Sequence, residues 1–175
     1  EGLLRVGISL TTLDPGLSRR MEPRAPTPVR RLHVIRRLSD AGIPVRVMVA
    51  PVVPGLTDHE LDSILSAAKD AGAVAASWIA LRLPLEVSPL FQEWLNQFAP
   101  DRAGKVMSRV REMHGGKDYD SEWSRRMKGQ GIWSDLITQR FDAAIVRLGL
   151  LKNMPALRHD LFAPPLRAGD QMSLF

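Results

Sequence analysis

Residues 9–28 read "SLTTLDPGLSRRMEPRAPTP" and gather hydroxyl, carboxylate and guanidinium side chains after a short apolar run. Ser9, Thr11 and Thr12 place hydroxyls just after a short apolar run, and Glu22 and Arg24 follow within a proline-rich stretch. Two further clusters lie after later apolar runs: Ala50, Pro51, Pro54 and Gly55, then Arg82 and Glu86. Hydroxyls, a carboxylate, a guanidinium and open backbone suit a polar ligand carrying hydroxyls and a carboxylate or phosphate. The alternative is that Glu22 and Arg24 only staple their own loop.

Other chemistries find little support. The chain has no cysteine, so neither a disulfide nor a thiolate metal site can be built from it. His59 sits between Asp58 and Glu60, but acidic residues in a first helical turn serve the helix dipole and the cap, and no metal site is expected there. Neither a phosphate-binding loop, a dinucleotide-binding glycine pattern nor a Ser-His-Asp arrangement is present.

The elements that must position these residues alternate. "LRVGISL" (4–10), "PVRVMVAP" (44–51) and "VAASWIALRLP" (74–84) read as buried strands. The segment after Ser9 reads as a long loop up to Thr27, which caps a helix with Pro28 in its first turn and Leu32, Ile35 and Leu38 on one face. Thr57 and Glu60 read as a capping box for a helix facing inward through Leu61, Ile64, Leu65 and Ala68. Gly42 and Gly72 end these two helices. Strand, helix, strand, helix, strand at this spacing predicts parallel βαβ units. In such sheets ligands bind at the carboxyl ends of the strands, where the three clusters fall.

Beyond residue 84 the pattern is helical. One helix starts at Ser88-Pro89, a second near Pro100 with Val106, Met107, Val110 and Met113 in phase, and a last near Trp133 ending at Gly149. Aromatic residues on these faces read as core. Between the last two helices, Lys117, Arg125, Arg126 and Lys128 either meet phosphate or face water. We therefore expect an α/β segment over 1–86, a helical extension over 87–150 and an extended tail over 151–175. The net charge of +5 favours anionic partners, nucleic acid above all. Without an apolar run that spans a bilayer, a cytoplasmic location is expected. The chain opens at Glu1 rather than at a methionine, which suggests the C-terminal part of a longer protein.

Four segments, "SLTT", "MEPRAPTP", "VMVAPVVPGLTD" and "LRLPLEV", together resemble the second half of a radical S-adenosylmethionine (SAM) core. "REMHGGKDYDS" and "IWSDLITQRF" extend the likeness toward the bacterial DNA repair photolyases, a lyase group related to spore photoproduct lyase. The resemblance implies a partial, TIM-barrel-like (β/α)6 fold. It also implies SAM and a 4Fe-4S cluster as cofactors, with reductive cleavage to a 5′-deoxyadenosyl radical that abstracts hydrogen. A C-x3-C-x2-C loop holds the family's cluster. With no cysteine here, those ligands are expected upstream and this segment alone is expected to be inactive. By the resemblance, Ser9 and Thr11 lie in the SAM site, and Glu22 and Arg24 organise the ribose or methionine end. Val49, Ala50 and Pro51 lie beside the adenine, and Leu81 and Arg82 face the same cavity.

The last five residues, "QMSLF", resemble the pentapeptide that binds the bacterial sliding clamp. Gln171 would bond at the edge of the clamp cleft, while Met172, Leu174 and Phe175 supply its apolar contacts. The competing expectation for the whole chain is a non-enzymatic α/β module brought to DNA through this tail.

Overall fold

The computed structural model describes residues 2–154, 156–160 and 163–165. Strands β1 (Val6–Ser9), β2 (Val45–Val52) and β3 (Ala75–Ala80) form a three-stranded sheet in the order β1-β2-β3. Both pairings are parallel, with Ser9 opposite Met48 and Met48 opposite Ser77. Among the described residues six α-helices accompany the sheet: α1 (Pro15–Met21), α2 (Pro28–Asp40), α3 (Leu61–Asp70), α4 (Val87–Phe98), α5 (Pro100–Met113) and α6 (Gly131–Leu148). None is long and apolar enough to cross a membrane.

The apolar periodicities place the helices. Ile35 of α2, Ile64 and Leu65 of α3, and Ile137, Phe141 and Ala144 of α6 pack with Val45, Val47 and Val49 into one core. The strand ends lead into a second core, where Val53, Leu56, Leu81 and Leu83 meet Leu95 of α4 and Val106 and Val110 of α5. Asp62 of α3 ties this helix to α6 by accepting from Arg140 at 2.9 Å and Arg147 at 3.2 Å. Burial alone would raise its pKa, but hydrogen bonds and charge from the two arginines outweigh this and hold the carboxyl below its ordinary value.

Three expectations are corrected. Residues 9–28 are not one loop, because α1 lies within them. Asp14 Oδ1 caps that helix, accepting from Gly16 N at 2.7 Å and Leu17 N at 3.2 Å, with Pro15 in the first turn. Leu17 and Met21, one turn apart, then pack on the second core. The capping box at Thr57 and Glu60 does not form. Thr57 Oγ1 instead accepts from Val53 N at 3.0 Å, and a single 3-10 turn, Asp58–Glu60, leads into α3. Strands β1 and β3 are also shorter than expected, while β2 keeps its expected length. The apolar residues after Ala80 leave the sheet to enter the second core.

Gly149 ends α6 at φ 62, in the left-handed region. Gly72 has φ 99, and a Cβ there would lie 2.3 Å from Ser39 Oγ. This turn between α3 and β3 therefore requires glycine. In the tail, Leu151 forms a parallel bridge with Ala75. Gln171, Met172, Leu174 and Phe175 lie outside the described residues.

Candidate functional site

Side chains alternate across a strand, so Val45, Val47 and Val49 face the helices. Arg46, Met48 and Ala50 point the other way, and with Gly7, Ser9 and Ser77 they form a face that is exposed or half-exposed. Parallel sheets are ordinarily covered on both faces. Here the uncovered face leads up to the carboxyl ends of the strands.

Arg31 organises that end. It lies on the inner stripe of α2, one turn before Ile35, and only 8% of it is exposed. Its Nη1 donates to Ser9 O at 2.9 Å and to Ser9 Oγ at 2.8 Å. Its Nε donates to Pro26 O at 3.0 Å, and its Nη2 to Glu22 Oε2 at 3.0 Å. Thr11 Oγ1 lies 3.3 Å from both Glu22 Oε2 and the carbonyl oxygen of Ala50, so its single proton is shared between them. The ends of β1 and β2 are thereby locked together. The Ala50–Pro51 peptide bond is cis, and the register of β2 against β3 shifts between Val49 and Val52.

This network leaves specific valences open. The Ser9 hydroxyl accepts from Arg31, so its own proton is free to donate. Glu22 Oε1 accepts nothing among the described residues, and the carboxylate is part-exposed. One donor and one anionic acceptor thus stand beside the small residues Gly7 and Ala50. This pair can bind a polar, hydroxylated or cationic group.

A second tie supports the turn. Glu60 reaches back to β1's loop, accepting from Thr12 Oγ1 at 2.6 Å and from Leu13 N at 2.7 Å. A cavity of about 710 Å3 opens beside it, lined among others by Leu17, Arg20, His59, Phe98 and Arg102.

The structure therefore gathers Ser9, Thr11, Glu22 and Ala50 into one connected group, with Pro51 next in line. It does not bring Arg24, Val49 or Leu81 side chains into that group. Arg24 is exposed. Val49 is buried on the helix side, and Leu81 lies in the second core. Arg82 turns to Tyr119, donating to its hydroxyl at 3.2 Å. Sequence reasoning missed Arg31 and misassigned Glu60. The signal for Arg31 was a basic residue in phase with Ile35 and Leu38 on the buried stripe.

No solved structure matches the chain. Uncharacterized proteins of Mycobacterium tuberculosis and Mycobacterium bovis are each 38% identical to it over 111 residues, covering 62% of this chain and 32% of theirs. An uncharacterized protein of Acidianus two-tailed virus is 43% identical over 47 residues, covering 27% of this chain and 16% of its own. The chain spans about a third of the length of the mycobacterial relatives, at 32%. Residues 1–68, which contain β1, α1, α2, β2 and the tie through Glu60, match the sequence model of the Radical SAM superfamily, and this match supports radical SAM membership.

Proposed function

We propose that this chain contributes the SAM-binding strand ends of a radical SAM enzyme that acts on nucleic acid. The observation that carries the reading is the Arg31-centred network. It presents a free Ser9 proton and a free Glu22 oxygen at the carboxyl ends of two strands within the matched region. These residues fit the polar parts of SAM: Glu22 would accept from ribose hydroxyls or the ammonium group, and Ser9 would donate to a carboxylate. Small side chains at Ala50 and Pro51 leave backbone open to the adenine edge. Arg24 is near enough in sequence to close on the ligand from the same loop.

The residues do not fit the iron-sulfur cluster, because the chain has no thiolate. On this reading the cluster's ligands lie outside this chain, and the chain alone is inactive. A cluster held elsewhere in the full-length protein would supply the family's reductive cleavage of SAM and hydrogen abstraction, and this chain's residues would hold SAM for it. Repair of a DNA lesion is the reaction favoured by the likeness to the photolyase group and by the net charge of +5.

Isothermal titration of the full-length protein with SAM tests the site. Ser9→Ala and Glu22→Ala should each bind about 5- to 150-fold more weakly, since losing one such hydrogen bond costs about 1–3 kcal/mol. Cluster content should be unchanged. Wild-type affinity in both variants would remove this loop from the site.

The lack of cysteine also favours a second reading, a non-enzymatic module recruited to DNA by the "QMSLF" tail. A C-x3-C-x2-C motif in the preceding sequence would decide for the enzyme. Recruitment has its own test. A peptide of residues 167–175 should displace a fluorescent sliding-clamp ligand, and Leu174→Ala with Phe175→Ala should abolish displacement. A wild-type peptide inert at high micromolar concentration would exclude the tail as a clamp ligand.

A further inference from the structure

The segment between α5 and α6 is anchored at both ends and projects in the middle. At the near end Asp118 takes hydrogen bonds from Ser88 Oγ at 2.5 Å and from Arg111 Nε at 2.7 Å. At the far end Ala80 N donates to Met127 O at 2.8 Å, and Gln130 N to Met113 O at 2.9 Å. Between these ties Trp123 stands 79% exposed. The guanidinium of Arg126 lies 3.8 Å from the centroid of its ring, covering one face and fixing its orientation.

The segment's charges are unevenly matched. Asp118 is engaged by Ser88, Arg111 and Gln92, and the hydrogen bond from Ser88 is the main influence holding its carboxyl below the ordinary range. Asp120 and Glu122 both pair with Arg125. Lys117, Arg126 and Lys128 form no ion pair among the described residues. The Nε of Arg126 is buried without an acceptor, and so is that of Arg82, whose guanidinium approaches Tyr119 in the same segment. Buried N–H donors are almost always paired. Lys128 Nζ rests 5.3 Å from the centroid of the Trp78 ring, so the segment holds its cations on aromatic faces rather than on carboxylates and leaves them charge to offer an anion.

We propose that residues 117–128 form a contact surface for single-stranded nucleic acid, with a base stacked on the open face of Trp123 and phosphates on Lys117, Arg126 and Lys128. A flat aromatic face flanked by cations is the chemistry that binds single strands, because every unpaired base offers a π-face and every linkage a charge. A duplex keeps its base faces inside the stack, so the same surface would meet only its phosphates. A lipid surface fits less well. Trp123 is flanked by Ser121, Glu122 and Ser124, which provide no apolar face to insert. This deepens the nucleic-acid part of the reading above, but rests on different residues from the SAM site.

The test is fluorescence anisotropy of the full-length protein with a labelled 12-mer oligothymidine, set beside SAM titration of the same samples. Trp123→Ala should weaken oligonucleotide binding about tenfold or more, whereas Trp123→Phe should stay near wild type. Arg126→Gln should weaken it and reduce the salt slope by about 0.7. The duplex form should bind at least about tenfold more weakly than the single strand. Trp123→Ala should leave SAM affinity unchanged, so failure of this surface and failure of the SAM site are told apart. Undiminished binding by Trp123→Ala would overturn the proposal. So would equal affinity for the duplex, no oligonucleotide binding at 50 mM salt, or equally tight binding to phosphatidylserine vesicles.

Discussion

Arg31→Ala is expected to lower the unfolding free energy by about 1–3 kcal/mol, the cost of leaving part-buried acceptors without their donor. Arg31 satisfies four acceptor atoms at once: Ser9 O, Ser9 Oγ, Pro26 O and Glu22 Oε2. Its removal strands a carboxylate and frees the loop that bears it. Arg31→Lys should recover little, since one ammonium cannot span acceptors that a planar guanidinium reaches in different directions. Denaturant unfolding measures the loss. If Arg31→Lys is as stable as wild type, only the charge matters and the fork geometry does not. The functional consequence is loss of order at Ser9 and Glu22 together, which single substitutions at either residue would not produce.

Leu65→Ala should cost about 2–5 kcal/mol, as large-to-small changes do in closed cores. Leu65 is fully buried in the core that joins the sheet to α2, α3 and α6. The size of the loss depends on how far its neighbours can collapse, and Val47, Ile64 and Phe141 belong to elements held from several sides. Leu65→Met nearly conserves volume and should cost less than about 1.5 kcal/mol. Both are read by thermal or denaturant unfolding with the wild type alongside. Equal stability of Leu65→Ala and wild type would mean that α3 does not close this core. Because α3 backs β2, the alanine variant should also loosen Ala50 and Pro51 at that strand's end.

Much of the fold is local information. The helix faces of α3 and α5 follow from a 3.6-residue recurrence, and every inward residue named from it on α3 is buried: Leu61, Ile64, Leu65 and Ala68. The order of strands and helices, and their parallel pairing, follow from short elements joined by helical crossovers. Ser9, Thr11, Glu22 and Ala50 were also legible as a group, since strand ends are where such a sheet exposes polar residues.

The partners of these residues were not legible, because they are set by contacts distant in sequence. Glu60 shows why. Beside Thr57 it has a local use as a capping box, and a helix cap is worth about 1 kcal/mol. In the folded chain the same carboxylate is the acceptor for Leu13 N, 47 residues away. A buried N–H left unpaired costs about 1–3 kcal/mol, so the distant use prevails. Thr57, released from the cap, satisfies Val53 N instead. Likewise α1 was hidden because Asp14-Pro15-Gly16 suits a turn as well as a helix start, and Leu17 and Met21 favour the helix only once the second core exists to receive them. Residue types and their periods determined which elements form and where polar chemistry gathers. Only the tertiary structure decided which polar group satisfies which, because that choice is made by burial, and burial is a property of the assembled fold.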